Sequence, residues 1–381
     1  MFDLDAALAR VVELEGSDLH LKSGGPPFAR VQGRLAPLDG TTDVLAATDT
    51  EHVLDDILRD DKRREEFRSD GEVDFSYEIG HLARFRVNAF RQRGAISIAL
   101  RVIPFAVRTI DELQLPPVIR ALADEQRGVI LLTGTTGSGK STTLAAMIDH
   151  INETRAKHIV TIEDPIEYLH RDKRSVINQR EVGLDTISFK RALRRVLRQD
   201  PDVILIGEMR DEETVQTALS AAETGHLVLS TIHTVDAAES VNRIIDFFPP
   251  HMNHQVRAMI AGTLQGVVSQ RLVPGAIGDG RVAVCEVLRM TGRAHDMIMD
   301  PTQTGRLRDV IAEGEYYGMQ TFDQALLKHV QAGRVSMEQA LLAASLPHDF
   351  KLLVGAEGRT STSMEDLADA HRPAEPTAAV P

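Results

Sequence analysis

The chain has 381 residues, of which 43% are hydrophobic and 26% are charged, and its formal net charge is −13. This composition is ordinary for a globular protein of more than one domain, and no stretch approaches the ~18 uninterrupted apolar residues of a membrane-spanning helix. The acidic balance argues against extended contact with nucleic acid. The single cysteine, Cys285, excludes an internal disulfide. The start of the chain has no apolar signal core, so we expect a cytoplasmic protein.

The first hundred residues predict a small α+β module. Alternating apolar and polar side chains are typical of half-exposed antiparallel strands, and such alternation is clearest at 73–79 and 83–91. A segment rich in turn residues at 105–117 predicts a linker, so the first domain should span residues 1–104. The expected helices are 3–15 and 49–67, and the expected strands are 18–22, 28–32, 73–79, 83–91 and 96–103.

From residue 118 onward, apolar runs alternate with helical periodicity. This pattern predicts a parallel sheet covered by helices on both faces, with the core at 118–285. A helical region should follow at 286–354. The tail at 355–381 has few large apolar residues, so we expect no fixed structure there. The strand-like runs are 128–132, 158–162, 203–206 and 227–230.

Residues 134–141 read Gly-Thr-Thr-Gly-Ser-Gly-Lys-Ser and form a complete phosphate-binding loop between an apolar run and a helix-forming stretch. In such a loop, backbone N–H groups converge on phosphate oxygens and the new helix directs its positive end at the same anion. Lys140 should reach the β and γ phosphates, and the Ser141 hydroxyl should take a Mg²⁺ position. The sequence therefore predicts ATP and Mg²⁺ as ligands. The predicted nucleotide contacts are Gly134, Thr135, Thr136, Gly137, Ser138, Gly139, Lys140, Ser141 and Thr142.

Acidic residues follow two of the predicted strands. Glu208 comes after the run at 203–206, and ligands of open α/β sheets bind outside the carboxyl ends of strands, so Glu208 should act on water or on the metal. Gly207 stands where an Asp commonly precedes this Glu, which leaves direct metal ligation from this strand open. Glu163 and Glu167, after the run at 158–162, are further catalytic candidates.

Histidines and arginines complete the set of candidates. His226 and His233 bracket the run at 227–230 and are too far apart in an extended chain to bind one metal. His233 follows the strand and is placed to sense the γ-phosphate. Guanidinium groups donated across a domain or subunit boundary can stabilise a transferring phosphoryl group. The arginines available are Arg84, Arg86, Arg91, Arg93 and Arg101 in the first module, and Arg194, Arg195, Arg198 and Arg210 in the second.

These motifs resemble those of the secretion ATPase superfamily, and specifically those of the PilT family of type IV pilus retraction motors. Residues 197–211, with Arg-Gln-Asp-Pro-Asp leading into Gly-Glu-Met-Arg-Asp, resemble the superfamily signature. Residues 161–167 resemble its Asp box and residues 224–234 its His box. Two segments of the amino-terminal part, 16–21 and 83–90, and one segment nearer the carboxyl end, 318–323, also resemble the family.

The resemblance implies a PAS-like α+β first domain, a RecA-like P-loop ATPase domain with a helical C-terminal region, and a ring-shaped homo-hexamer with nucleotide held between subunits. It implies that Lys140 and Ser141 bind nucleotide and Mg²⁺, and that Glu167 and Glu208 are the catalytic carboxylates. Partners would be an inner-membrane platform protein of a type IV pilus machine and, through it, the inner face of the cytoplasmic membrane. The residues implied in coupling are His226 and His233, and those implied in phosphate contacts from the first domain are Arg84, Arg86 and Arg101.

Two departures from the family pattern keep alternatives open. Thr135 stands where the loop usually has Pro, which the backbone should tolerate because Pro there adds only rigidity. The family's retraction motif would fall at 294–300, where its basic residues are absent. An accessory PilU-like subunit, a nucleotide-regulated scaffold, and an assembly or secretion ATPase of the same superfamily therefore stay open. The lack of clustered cysteines disfavours an assembly motor, because many of these use such clusters to hold zinc.

Overall fold

A computed structural model describes residues 2–31, 33–38, 44–80, 82–103, 107–276, 278 and 280–360. The chain divides into two compact units. The first comprises Met1–Val107 with the short segment Glu167–His170, and the second comprises Arg108–Ile166 with Arg171–Pro381. None of the helices in the described part of the chain has the length and apolarity needed to cross a bilayer.

The first unit is an α+β fold built on an antiparallel sheet with strand order β3-β2-β1-β6-β5-β4. Phe85, Val87 and Ala89 are buried on one face, as the alternation of this segment predicts. The helices are α1 (Leu4–Glu13), α2 (Ala47–Ile57) and α3 (Asp61–Asp70). The strands are β1 (Gly16–Lys22), β2 (Phe28–Val31), β3 (Arg34–Pro37), β4 (Glu72–Ile79), β5 (Ala83–Gln92) and β6 (Ala95–Ile103).

The first unit differs from the sequence prediction in two places. The single helix expected over residues 49–67 is two helices, because Leu58 leaves the helical conformation and Asp60 caps a new helix by accepting a hydrogen bond from the Arg63 N–H. Strand β3 is not expected from the sequence. Its side chains are all exposed, so it lacks the alternation that would reveal it.

The second unit contains a larger sheet covered by helices. Its strands are β7 (Gly128–Thr133), β8 (His158–Glu163), β9 (Val176–Glu181), β10 (Val203–Ile206), β11 (Leu227–Ile232), β12 (Leu264–Pro274) and β13 (Arg281–Arg289). Its α-helices are α4 (Val118–Ala123), α5 (Lys140–Thr154), α6 (Phe189–Val196), α7 (Glu212–Glu223), α8 (Ala237–Asp246), α9 (Asn253–Thr263), α10 (Gly292–Met299), α11 (Leu307–Glu313), α12 (Phe322–Gln331), α13 (Met337–Ala343) and α14 (Pro347–Thr360). Short 3₁₀ turns are Pro250–Met252, Thr304–Arg306 and Glu315–Tyr317.

The strand order of this sheet is β13-β12-β7-β11-β10-β8-β9. All neighbouring pairs are parallel except β12 with β13, which is antiparallel. The four predicted strands and their parallel pairing are confirmed, and the edge strand β13 adds one antiparallel pair that is not expected from the sequence. Strands β9, β12 and β13 are not expected from the sequence, since polar residues interrupt their apolar pattern.

Two observed elements extend past the predicted segment boundaries. Strand β13 continues to Arg289, past the predicted limit of the core at residue 285. Helix α14 continues to Thr360, past the predicted start of the tail at residue 355. Residues 361–381 of that tail lie outside the described residues.

Strand β7 shows why the sheet is buried on both sides. Val129 and Leu131 belong to the core on one face, which they share with α7 and α9. Ile130 and Leu132 belong to the core on the other face, which they share with α4 and α5. Because alternate side chains enter two different cores, the strand reads as a continuous apolar run.

Gly266 lies where β12 closely approaches both β13 and helix α4. A Cβ atom at this position would lie 2.8 Å from the Leu288 carbonyl oxygen and 2.8 Å from Leu122 Cδ2. Both distances are below a normal contact, and the carbonyl belongs to the paired strand. The residue therefore has to be glycine for β12 to pair with β13 and pack on α4.

We expect Gly266→Ala to lower the free energy of unfolding by about 1–3 kcal/mol, the usual cost of forcing an extra carbon into a packed core. Chemical denaturation of the purified chain measures this change. Gly262→Ala is the matched control, because nothing lies within 4 Å of its Cβ position and α9 favours alanine, so it should be neutral or stabilising by up to about 1 kcal/mol. Equal stabilities of the two variants would contradict the packing described here.

Candidate functional site

One edge of the second unit's sheet collects the loops that carry the predicted site. Strands β7, β8, β10 and β11 run parallel, so their carboxyl ends meet at the same edge. The phosphate loop follows β7, Glu208 follows β10 and His233 follows β11. The structure therefore brings these three features to one side of the sheet, as expected for an α/β nucleotide site.

The phosphate loop is a tight turn closed by its own lysine. Lys140 Nζ donates hydrogen bonds to the carbonyl oxygens of Gly134 at 2.8 Å and Thr135 at 3.0 Å. Gly139 precedes α5 in the left-handed conformation with φ 91°, and Gly134 has φ 133°. These backbone angles require glycine, so the turn depends on the spacing of the motif.

The loop presents hydrogen-bond donors and a helix N-terminus that can bind an anion. The Ser138 hydroxyl is buried and has no hydrogen-bond partner within the described ranges, so a polar ligand atom would satisfy it. Thr135, Thr136 and Gly137 are exposed at the rim of the turn, and the N-terminus of α5 lies behind them. Ser141 and Thr142 are half-buried in the first helical turn, which leaves the serine hydroxyl available to a hard cation.

A cavity of about 690 Å³ adjoins the loop within the second unit. Gly139, Thr142 and Thr143 line it on the side of the loop, while Arg108 and Arg281 line other walls. Its volume is in the range of small-molecule sites. The cavity is large enough to hold the nucleoside part of a nucleotide whose phosphates lie on the loop.

Glu208 lies between Arg210 and His233. Arg210 Nη2 lies 2.7 Å from Glu208 Oε2, and His233 Nε2 lies 3.3 Å from Glu208 Oε1. Burial of the Glu208 carboxyl raises its pKa, but the hydrogen bond from Arg210 and the charges of His233 and Arg210 outweigh burial, so the pKa is lowered from its ordinary value. Glu208 is therefore an anion throughout the neutral range.

Gly207 occupies a position with little room for a side chain. A Cβ atom there would lie 3.3 Å from Glu163 Cα and 3.3 Å from the Ile162 carbonyl oxygen, because β10 runs beside β8. The Gly207 N–H donates to that same carbonyl at 2.8 Å. The close pairing of the two strands accounts for the glycine at this position.

The other two predicted carboxylates lie in different surroundings. Glu163, the last residue of β8, accepts hydrogen bonds from Thr161 Oγ1 at 2.7 Å and from Gln179 Nε2 at 3.2 Å. This network fixes the Glu163 side chain near the edge of the sheet. Glu167 is exposed and is part of the segment that groups with the first unit.

The two histidines lie at opposite ends of β11. His233 follows the strand and contacts Glu208, whereas His226 precedes it and its Nδ1 lies 2.9 Å from the Ala221 carbonyl oxygen at the end of α7. The distance along the strand separates the two side chains, as the sequence predicts. Only His233 is at the edge that carries the phosphate loop.

The three candidate arginines of the first unit lie on neighbouring strands. Arg86 on β5 pairs with Arg101 on β6 in the register of the sheet, and both are exposed. Arg101 Nε donates to Asp18 Oδ1 at 2.8 Å. Arg84 is half-buried on the same face of β5 as Arg86. These side chains form a basic surface of the first unit.

The structure identifies the contacts of two residues, Arg210 and Gln270, that the sequence does not assign. Arg210 is one of several candidate arginines in the sequence, and only the structure singles it out as the partner of Glu208. Gln270, on the unpredicted strand β12, is 2% exposed and touches the phosphate loop. The sequence carries no clear signal for Gln270, because it stands between two other polar residues, Ser269 and Arg271.

Comparison with known proteins places these features in a family. The family described as type II/IV secretion system protein matches residues 66–342. The type IV pilus retraction ATPase PilT of Pseudomonas aeruginosa is 44% identical over 348 residues, which are 91% of this chain and all of that protein. The type IV pilus ATPase PilU of the same organism is 41% identical and covers 92% of this chain and 91% of its own length.

A solved structure supports the same grouping. The crystal structure of the pilus retraction motor PilT with bound ADP has a TM-score of 0.84 and 42% identity, covering 92% of this chain and 99% of that one. This match confirms the predicted fold class, a PAS-like α+β domain followed by a RecA-like P-loop ATPase domain and a helical C-terminal region. The resemblance to the PilT family and the assignment as an ATPase are also confirmed. The chain therefore belongs to the type II/IV secretion system protein family.

Proposed function

We propose that this chain is a homo-hexameric motor that hydrolyses ATP with Mg²⁺ to retract type IV pili. The observation that carries the proposal is the 44% identity to PilT of Pseudomonas aeruginosa over that protein's whole length. The motor would work in the cytoplasm, peripheral to the inner face of the cytoplasmic membrane, through an inner-membrane platform protein of the pilus machine. Its parts would be the first domain at 1–104, a linker at 105–117, the ATPase core at 118–285 and the helical region at 286–354.

The phosphate loop supports ATP as the substrate. Lys140 already points its ammonium group at the carbonyl oxygens of the loop, so a short movement of this group would reach the β and γ phosphates. The unpartnered Ser138 hydroxyl and the N–H groups of the loop supply further donors. Mg²⁺, held by the Ser141 hydroxyl and by phosphate oxygens, would neutralise charge on the β and γ phosphates.

Glu208 is the carboxylate best placed to orient the attacking water. Its lowered pKa keeps it anionic, and Arg210 and His233 hold both of its oxygens, so its position is fixed. Phosphoryl transfer demands positioning and charge stabilisation more than covalent chemistry. His233 links Glu208 to the end of β11. Loss of the γ-phosphate would change this contact and so affect the position of that strand end. Glu163 and Glu167 would complete the acidic surroundings of the nucleotide.

The arginines of the first unit would act between subunits. Arg84, Arg86 and Arg101 form a basic surface on neighbouring strands, and a guanidinium group can stabilise the charge of a transferring phosphoryl group. In a ring whose nucleotides lie between subunits, such a surface would add positive charge beside the phosphates. The candidate carboxylates of the second unit are negatively charged and cannot supply it.

The segment at 294–300 favours a second candidate, an accessory PilU-like subunit. It lies on α10 and its end, where Ala294, Met297 and Ile298 are buried and His295 and Asp296 are exposed. Arg257 anchors the helix by donating to the Ile298 carbonyl oxygen at 2.7 Å. The segment 294–300 thus has no lysine or arginine, although Arg293 just before it is exposed. The 41% identity to PilU is nearly as high as the identity to PilT.

We expect Glu208→Gln to reduce the rate of ATP hydrolysis by about 10²- to 10⁴-fold while ATP binding is kept, because the amide is neutral and orients water poorly. Phosphate release measures turnover, and calorimetry measures binding. The same measurements on Glu163→Gln and Glu167→Gln would rank the three carboxylates.

Glu212→Gln is the control for this experiment. It makes the same chemical change on an exposed residue of α7 that has no ion pair in the part of the chain that the structure describes. Its rate should equal that of the parent. A Glu208→Gln protein that hydrolyses ATP at the parental rate would rule out the catalytic role of this carboxylate.

Deletion of the gene in its host should abolish twitching motility and leave excess pili on the surface, because assembled pili would no longer be withdrawn. Sheared surface pilin and motility zones on agar measure both effects. The parental gene should restore both, and Lys140→Ala should restore neither. Unchanged pili and motility in the deletion strain would contradict a role in retraction. Full rescue by Lys140→Ala would contradict the primary motor role and favour the accessory subunit.

A further inference from the structure

Gln270 on β12 fastens the phosphate loop to the first turn of α5. Its Nε2 donates a hydrogen bond to the Ser138 carbonyl oxygen at 2.8 Å. Its Oε1 accepts one from Thr143 Oγ1 at 2.8 Å. Gln270 is 2% exposed and Thr143 is 1% exposed, so water cannot replace either bond. One side chain therefore joins the loop, the helix and the strand.

The polarity of these contacts requires an amide. A backbone carbonyl can only accept a hydrogen bond, so the nitrogen of Gln270 has to face Ser138, and its oxygen is left to face the Thr143 hydroxyl. A carboxylate at this position would place two acceptors against each other in a buried site, which is unfavourable. The contact therefore selects glutamine by chemistry as well as by size.

The backbone and side chain of Gln270 also approach the glycines of the loop. A Cβ atom on Gly134 would lie 2.4 Å from the Gln270 carbonyl oxygen, and one on Gly139 would lie 2.6 Å from Gln270 Nε2. Both glycines have positive φ angles. Gln270 therefore packs closely against the loop at Gly134, where the loop begins, and at Gly139, where it ends.

We propose that Gln270 is a positioning residue for ATP hydrolysis. It acts through Ser138 and Thr143 by holding the loop in the shape in which its N–H groups and Lys140 meet the phosphates. Ser138 carries the buried, unpartnered hydroxyl of the loop, so a shift of its backbone would move a donor that the nucleotide needs. Gln270 itself need not touch the nucleotide for this role. The inference rests on the ATPase activity and not on the link to pili.

The first test replaces the donor and keeps the shape. We expect Gln270→Glu to weaken ATP binding by about 10- to 100-fold near pH 8, because the unpaired acceptors distort the loop. Protonation of the new carboxyl restores an O–H donor toward Ser138, so ATP binding should recover toward the parental value as pH falls to about 6. A general loss of folding would not be reversed in this way.

Two further variants make the test specific. Thr143→Val leaves Gln270 Oε1 without its donor and should weaken ATP binding less strongly, without recovery at low pH. Gln265→Glu makes the same change as Gln270→Glu on the same strand, at the end away from the loop, and should bind ATP like the parent. Calorimetry over the pH range gives binding, and thermal melts of each variant show that it is folded.

The outcomes separate this role from the ATPase assignment. If Gln270→Glu does not fold, Thr143→Val decides, since it removes the other half of the contact. Parental ATP binding in the folded variants, beside lost binding in Lys140→Ala, would overturn the positioning role and leave the ATPase intact. Weak binding by Gln270→Glu that does not change with pH relative to the parent would also overturn it. Recovery of ATP binding at low pH in Gln270→Glu, without such recovery in Thr143→Val, would support the positioning role.

Discussion

The close contact of β12 with the turn that follows β7 is the constraint on which the site depends. Strand β7 is buried on both faces and is paired on both edges, by β11 and β12, so its end has one position. The turn at Gly134 then passes so near the Gln270 carbonyl oxygen that a side chain would not fit. Close contact with β12 therefore requires glycine in the motif, in addition to the requirement of the phosphate-binding turn.

Two carboxylates at this edge of the sheet, Glu208 and Glu163, are held by polar partners. Glu208 is held by Arg210 and His233, and Thr161 and Gln179 hold Glu163. Each of these two carboxylates is therefore held by a group from another strand or loop. This arrangement keeps a lowered pKa at Glu208 despite its partial burial. The contact of His233 with Glu208 also connects the ends of β10 and β11, which lie at the same edge of the sheet as the phosphate loop.

The features that the sequence predicts are those with a local signature. The loop at 134–141 is contiguous, and β7 and β11 are unbroken apolar runs, so motif and periodicity are sufficient to place them. Glu208 and His233 come just after predicted parallel strands, so the position of each strand end predicts where these residues lie. The contact between Gln270 and Ser138 joins residues 132 positions apart on a strand with no clear pattern, and no local rule predicts it. The division of the helix expected at 49–67 likewise depends on the cap at Asp60, which a search for apolar periodicity overlooks.

Calorimetric titration of the folded protein with ATP and Mg²⁺ measures whether a triphosphate binds at the turn before α5. We expect saturable binding by the parent and by Lys62→Ala, which changes an exposed lysine of the first unit. Lys140→Ala should bind ATP about 10- to 100-fold more weakly, because a charge-assisted contact to the phosphates is lost. Equal binding by Lys140→Ala and the parent, or no binding by the folded parent, would rule out this turn as the triphosphate site.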